Sequence, residues 1–164
     1  MSTSSADQPL LHVFRLAGES LLACRCNNSH SGNLSIRRGD EVIITRTGAM
    51  LGRLADSDLV KTSLRPAEVE RARASTELEV HLAVYAGTEF SAVAHGHALW
   101  AVLAGWMVDE FCPLDLEGAY YFGRVPVVEC VPATASPVLG QAVAGAMKTA
   151  PAVIVRGHGV FAAA

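Results

Sequence analysis

The sequence predicts an α/β fold in which closely packed helices cover a sheet. Segments with helical periodicity and segments with strand periodicity alternate through the second half of the chain. Hydrophobic residues make up 51% of the 164 residues and charged residues 18%, which is a globular composition. This length corresponds to one ordinary domain, and no linker or repeat divides it. We therefore expect one domain over residues 9–164, preceded by a flexible tail over residues 1–8.

The first elements expected are a helix and a β-hairpin. Pro9 suits the first position of a helix, and apolar residues at roughly helical spacing continue to about Cys26. A cluster of turn residues over 27–32 ends this helix. Two strand-like segments follow, NLSIRR and EVIITR, and they meet at Gly39-Asp40 as a hairpin.

Another helix is expected to begin near Ser75. Thr76 and Glu79 have the spacing of a capping box, and Gly87 marks the end of this helix. The segments 48–75 and 107–124 show no clear periodicity. The other patterns predict a strand over 90–97, a helix over 98–106, a strand over 125–131, a helix over 137–148 and a strand over 152–156.

Charge and composition exclude several classes of partner. The 13 Lys and Arg residues are dispersed and are outnumbered by 16 Asp and Glu, so no basic face is available for nucleic acid. The sequence has neither a signal peptide nor an apolar run of about 18 residues, so we expect a soluble, cytoplasmic protein without membrane contact. Four cysteines lack C-x-x-C spacing and are expected to be reduced, buried thiols.

Three histidines have the arrangement of a metal site. His95 and His97 form an H-x-H pair on a predicted strand, where alternate side chains point to the same face and can reach one ion. His158 follows another predicted strand and lies between Gly157 and Gly159, which allow the backbone to turn. Each histidine alone could be an ordinary hydrogen-bonded residue, but together they predict a metal centre.

A carboxylate for this centre is available at Glu77, in the first turn of the predicted helix. Glu77 could bind the ion or act as a general base. Its ordinary alternative role is to complement the helix dipole, and Glu79 is assigned to the cap. Three further histidines lack a partner at suitable spacing and are assigned to structural or surface positions, namely His12, His30 and His81.

Short donor-rich segments predict an anion site. They are Gly32-Asn33, Thr47-Gly48 and Ser75-Thr76, and the last lies at a helix N-terminus, where phosphate is favoured. Each segment alone is an ordinary turn or cap. Their coincidence with a metal centre favours a phosphorylated small-molecule substrate.

The chain resembles the class II aldolase and adducin-head family in five short motifs that occur in the same order. The sugar-phosphate aldolases of that family carry a GN-x-S-x-R segment, a T-x-x-G-type turn, an S-S-E helix start, H-x-H and a late HG. The matching residues here are Gly32 to Arg37, Thr45 to Gly48, Ser75 to Glu77, His95 to His97, and His158 with Gly159. The resemblance extends over roughly residues 9–164.

This resemblance implies a three-layer α/β/α fold with a central, largely antiparallel or mixed sheet. It implies Zn²⁺, or Mn²⁺ or Co²⁺ in its place, held by His95, His97, His158 and Glu77, with Glu77 also acting as catalytic acid and base. The implied phosphate ligands are Asn33, Thr47, Gly48, Ser75 and Thr76. Tyr120 and Glu117 are candidates for a second catalytic proton donor, which in this family often comes from the neighbouring subunit of a homotetramer.

The implied activity is that of an aldehyde-lyase in carbohydrate metabolism. Such an enzyme cleaves a small phosphorylated ketose of the fuculose-phosphate type by retro-aldol chemistry, through an enediolate that the metal stabilises. Sugar-phosphate 4-epimerase, dehydratase and decarboxylase activities use nearly the same ligands and stay open as alternatives. A non-catalytic binding module like the adducin head is a further alternative, and the retention of all four metal ligands disfavours it.

Three departures from the family pattern stand out. Arg46 occupies a position where proline is common, so it either changes the loop or adds a cation beside the phosphate. Thr76 stands where serine is usual and keeps the hydroxyl. Family members usually continue for tens of residues beyond the HG motif, whereas this sequence ends at Ala164, so it is either a short form or part of a longer chain.

Overall fold

A computed structural model describes residues 8–164, which contain six α-helices and one eight-stranded sheet. The helices are α1 (Gln8–Ala23), α2 (Glu68–Arg73), α3 (Leu78–Gly87), α4 (Leu99–Met107), α5 (Leu116–Tyr121) and α6 (Pro137–Ala146). The strands are β1 (Asn33–Arg38), β2 (Glu41–Thr45), β3 (Leu59–Ser63), β4 (Ala92–Gly96), β5 (Glu110–Phe111), β6 (Val125–Val128), β7 (Ala152–Val155) and β8 (Gly159–Ala163). The tail predicted over residues 1–8 lies outside the described residues except for Gln8, where α1 begins.

The sheet is mixed and largely antiparallel, as predicted. Its strand order is β3-β2-β1-β4-β8-β7-β6-β5, and β6 with β7 is the parallel pair within the described residues. Side chains of α3 and α6 form one hydrophobic cluster with the sheet. Side chains of α1 form a second cluster, and α4 contributes to a third. The fold is therefore the expected three-layer α/β/α arrangement.

Strand β2 explains why the sheet is covered on both faces. Val42 and Ile44 belong to the cluster that contains α3 and α6, whereas Ile43 belongs to the cluster that contains α1. All three side chains are buried, so the strand has a continuous apolar run instead of an apolar and polar alternation. Each fully buried side chain of this size contributes roughly 1.5–3 kcal/mol. The site is consequently built on a rigid central sheet.

The predicted capping box at α3 is wrong. Glu77, not Thr76, is the N-cap residue, and Glu79 forms an ion pair with Arg71. The reason is that the Ser75 side chain accepts a hydrogen bond from the Glu77 N–H, at 3.2 Å, and makes a turn ahead of the helix. This turn directs Glu77 into the protein interior.

No helix within residues 8–164 has the length and apolar character needed to cross a membrane.

Candidate active site

Adjacent strands bring the three predicted histidine ligands together. His95 lies in β4 and His97 directly follows that strand, while His158 lies in the turn between β7 and β8. Since β4 and β8 are antiparallel neighbours, the end of β4 lies beside the beginning of β8. The three histidines therefore meet at one edge of the sheet although about 60 residues separate His97 from His158 in the sequence.

The donor atoms of this cluster have the spacing of metal ligands. One donor atom from each histidine lies within 4.8 Å of the others. His95 Nε2 is 2.9 Å from His97 Nε2 and 3.1 Å from Glu77 Oε2, while His158 Nε2 is 3.5 Å from Glu77 Oε1. Ligands bound at about 2.0–2.1 Å in a tetrahedral zinc site lie roughly 3.3 Å apart. The residues present thus fit a divalent transition metal.

His95 is held as a neutral imidazole, in the tautomer that can bind a metal ion. Its Nδ1 donates a hydrogen bond to the carbonyl oxygen of Val160 at 2.9 Å, so the lone pair of neutral His95 lies on Nε2. Burial, together with the nearby His158 and His97, lowers the pKa of His95 well below its ordinary value. Partial desolvation and His158 also lower the pKa of His97. Neutral imidazoles are the form that binds metal.

Glu77 is a buried carboxylate with one oxygen that lacks a hydrogen bond. Glu77 is 4% exposed, and its Oε2 accepts a hydrogen bond from Asn33 Nδ2 at 3.1 Å. Oε1 has no hydrogen-bond partner among the described residues, and it is directed toward His158. An unpartnered buried carboxylate oxygen is costly unless another group compensates it. A metal ion at the three histidines would provide that compensation.

The predicted phosphate residues line the same pocket as the candidate metal ligands. This pocket has a volume of about 210 Å³, below the ~300–1,000 Å³ of drug-sized sites, so it suits a small ligand. Its lining includes Asn33, Thr47, Gly48, Ser75, Thr76, Glu77, His95, His97 and His158. Two hydrogen bonds connect the loop that contains Thr47 with the loop that contains Ser75. The Ser75 N–H donates to Thr45 O at 3.0 Å, and the Thr47 hydroxyl donates to Ala74 O at 2.8 Å.

The pocket also contains residues that were not assigned as metal or phosphate ligands from the sequence. Arg46 lies at its edge, where the guanidinium is 2.7 Å from Asp58 and donates to Thr47 O at 2.9 Å. Thr134 reaches the pocket from the loop before α6, and no sequence signal indicates it. His30 also lines the pocket, although its sequence spacing indicates no partner.

The two candidates for a second proton donor lie elsewhere on the molecule. Glu117 and Tyr120 belong to α5, and neither lines the pocket. Tyr120 is 81% exposed. The structure of one chain therefore does not bring Glu117 and Tyr120 together with the candidate metal ligands.

Replacing Gly159 with alanine is expected to destabilise the site. A Cβ atom there would lie 2.5 Å from the carbonyl oxygen of Gly96 and 3.0 Å from ring carbons of His95 and His97. Such overpacking costs about 1–3 kcal/mol, so the urea midpoint of unfolding should fall. Gly145→Ala is the control, because its Cβ meets nothing within 4 Å and alanine in a helix stabilises by about 0.5–1 kcal/mol. An unchanged midpoint for Gly159→Ala would contradict the close approach.

Known proteins are similar to this chain in sequence and in fold. The structure superposes on L-fuculose-1-phosphate aldolase from Thermus thermophilus with a TM-score of 0.88 and 35% identity, covering 94% of this chain and 78% of that chain. The L-fuculose phosphate aldolase of Methanocaldococcus jannaschii is 27% identical over 79% of this chain and 70% of its own length. A methylthioribulose-1-phosphate dehydratase of a Bradyrhizobium species is 31% identical over 80% of this chain and 69% of its own length.

Part of each of these relatives therefore lies outside the matched region. The family model for the class II aldolase and adducin N-terminal domain matches residues 15–164. That range contains all the histidines of the candidate metal centre and the whole of the sheet. The chain belongs to the family of class II aldolase and adducin N-terminal domains.

Proposed function

We propose that this protein is a metal-dependent aldehyde-lyase that cleaves a small phosphorylated ketose by retro-aldol chemistry. The observation that carries the proposal is the shared pocket, in which three imidazoles and a buried carboxylate adjoin two donor-rich loops. A metal centre alone would suit many reactions. A metal centre beside an anion-binding loop suits a reaction on a phosphorylated substrate.

The proposed metal ligands are His95, His97, His158 and Glu77. Three nitrogen donors and one oxygen donor suit Zn²⁺, and they also suit Mn²⁺ or Co²⁺. When bound, the ion would supply a Lewis acid that stabilises negative charge on the oxygens of the substrate. The hydrogen bond from His95 to Val160 O would keep the ring in its ligating orientation.

The proposed phosphate site lies at the N-terminal end of α3. Ser75 and Thr76 precede this ten-residue helix, whose free N–H groups and dipole favour an anion. Gly48 has a φ of 69°, a left-handed conformation that glycine adopts readily. It lines the pocket and places no side chain there. Arg46 places a guanidinium at the edge, where it forms an ion pair with Asp58. Asn33 completes the proposed set at the boundary with the metal centre.

Thr76→Val is expected to weaken the binding of phosphorylated substrates. The Thr76 side chain is exposed at the pocket, and valine keeps its shape while removing the hydroxyl. A hydrogen bond to a charged group contributes about 1.5–3 kcal/mol, so KM should rise by about 10–100-fold. The inhibition constant of inorganic phosphate should rise by a similar factor. Equal inhibition of both proteins by phosphate would place the anion elsewhere.

Glu77 is the proposed acid and base at the reacting carbon. Retro-aldol cleavage leaves the electrons of the broken carbon–carbon bond on one fragment as an enediolate, and that fragment takes up a proton at carbon. The Oε1 atom of Glu77 faces the pocket without a hydrogen-bond partner among the described residues, so it is available to donate and accept that proton. Its neighbour Oε2 is held by Asn33.

A second group must accept the hydroxyl proton of the fragment that becomes the aldehyde. We assign this step to Tyr120 or Glu117 from a second copy of the chain, since α5 lies away from the pocket of its own chain. Helices α4 and α5 carry large exposed apolar side chains, which supports a homo-oligomer and, within this proposal, a tetramer. These side chains include Trp100, Trp106, Met107, Leu116, Tyr120 and Tyr121.

The alternative function is a dehydratase that acts on a related sugar phosphate, and the 31% identical relative favours it. The deciding experiment incubates zinc-loaded protein with a panel of ketose 1-phosphates and measures the products by NMR. Retro-aldol cleavage releases a free aldehyde and a three-carbon phosphate, whereas dehydration keeps the carbon chain intact. A zinc-loaded protein that releases no aldehyde from any member of the panel would overturn the aldolase proposal.

A further inference from the structure

A second set of buried polar side chains extends from the candidate metal centre into the protein core. Glu77, His81 and Tyr85 are spaced four residues apart at the start of and along α3. Asn33 and Ser35 are two residues apart on β1 and point to the same face. Four helical residues advance about 6.0 Å and two strand residues about 6.6–6.8 Å. The two series therefore stay in register where α3 packs on β1.

These five side chains form one continuous chain of hydrogen bonds. Glu77 Oε2 is 3.1 Å from Asn33 Nδ2, and Asn33 Oδ1 is 2.5 Å from His81 Nε2. On the other side of the ring, His81 Nδ1 is 2.6 Å from the Ser35 hydroxyl, which is 2.6 Å from the Tyr85 hydroxyl. All five residues are buried. Water therefore does not compete for these groups.

The carboxylate at one end fixes the direction of every hydrogen bond. An ionised Glu77 only accepts, so Asn33 must direct its NH₂ group toward it and its carbonyl oxygen toward His81. His81 must then carry its proton on Nε2 and accept from Ser35 at Nδ1. Tyr85 in turn donates to Ser35. Burial lowers the pKa of His81 to about 3 and raises the pKa of Tyr85 to about 12, which agrees with a neutral ring and a protonated phenol.

We propose that His81 is a positioning residue for the active site. Its Nε2–H holds the Asn33 amide in one orientation, and Asn33 then holds Glu77 so that Oε1 faces the metal-binding histidines. A rotated Asn33 amide would place its carbonyl oxygen against the carboxylate, and His81 prevents that rotation. The inference rests on the proposed metal centre, because it explains how one ligand of that centre is oriented.

Two substitutions at His81 separate this role from general packing. In His81→Gln the side-chain amide can reach the position of Nε2 and still donate to Asn33. In His81→Asn the shorter amide reaches only the position of Nδ1, next to Ser35. We expect His81→Asn to bind Co²⁺ about 10-fold more weakly than wild type, the lower limit for loss of a ligand's supporting hydrogen bond, and His81→Gln to recover most of this affinity.

The measurement is a titration of metal-free protein with Co²⁺, followed by the visible absorption of the bound ion. Tyr85→Phe is the control, because it breaks the far end of the chain and leaves the contacts of Asn33 intact. It should lower the melting temperature while keeping wild-type Co²⁺ affinity. With the metal-loaded enzyme, His81→Asn should lower kcat more than it raises KM.

The outcomes distinguish this inference from the proposed function. If wild-type protein binds no Co²⁺, the proposed metal centre itself fails. If wild type binds Co²⁺ and His81→Asn binds it equally well, the metal centre stands and the positioning role fails. The positioning role also fails if Tyr85→Phe weakens Co²⁺ binding as much as His81→Asn does, because the effect would then follow stability alone.

Discussion

A variant carrying His95→Ala and His97→Ala is expected to bind no zinc and to lose nearly all activity. Wild-type protein should hold close to one ion per chain, because the four donors form one site. A Lewis acid contributes several kcal/mol to the transition state, and about 4 kcal/mol corresponds to a rate factor of about 10³. Elemental analysis of the purified proteins and an assay for aldehyde release measure the two effects.

Controls are needed because His95 also has a structural role. Its ring stacks on Phe161 with centroids 4.2 Å apart, so removing it leaves a cavity and costs stability. His97 is exposed, and His97→Ala alone should weaken zinc binding while the circular dichroism spectrum stays unchanged. His12→Ala, on the exposed side of α1, should retain both metal and activity. A double variant that is folded and still holds zinc would contradict the assigned ligands.

The clustering of the candidate metal ligands was predictable because simple backbone rules place them. Alternation along β4 puts His95 and His97 on one side, and the turn between Gly157 and Gly159 directs His158 from the neighbouring strand. The helix that follows Glu77 and the β1–β2 hairpin were also predicted, because Gly87 marks the end of that helix and Gly39-Asp40 marks the turn of the hairpin. Local patterns of this kind depend on few distant contacts.

Other elements were missed where the pattern is weak or long-range. Strand β8 is rich in alanine and glycine, which have low strand propensity, and it forms because β4 and β7 pair with it on both sides. Strand β3 and helix α2 lie in the segment 48–75, where neither has more than six residues to show a period. The order of the strands depends on such pairings and was not predicted, since the family resemblance implied only a largely antiparallel or mixed sheet.

The hydrogen-bond partners of His81 also could not be predicted, because they are distant in the sequence. His81 is separated by 46 residues from Ser35 and by 48 from Asn33. Its spacing to Glu77 is visible in the sequence, but its contact with β1 depends on how α3 packs against the sheet. The capping box was wrong for a related reason, because Thr76 and Glu79 have the correct spacing whereas the Ser75 turn decides where the helix begins.

Glu77→Gln is expected to lower kcat by about 10²–10⁴-fold at saturating zinc. Glutamine has the same size, and its carbonyl oxygen can still accept the hydrogen bond from Asn33, so the fold should be retained. It cannot take up and return the proton at carbon, and loss of a general acid and base costs about this factor. Exchange of the carbon-bound proton of dihydroxyacetone phosphate with deuterated water, followed by NMR, isolates this step from carbon–carbon cleavage.

Glu77→Asp separates the charge of this residue from its position. Aspartate keeps the carboxylate but withdraws it by one methylene from the histidines that Glu77 approaches at 3.1 and 3.5 Å. A displacement of about 1 Å costs up to about 10²-fold in rate, so exchange should be slow but faster than in Glu77→Gln. If Glu77→Gln exchanges the proton as fast as wild type, another residue is the base and Glu77 is only a ligand. If Glu77→Asp exchanges the proton as slowly as Glu77→Gln, the position of the carboxylate matters as much as its charge, and the hydrogen bond from Asn33 to Glu77 Oε2 is the contact that sets this position.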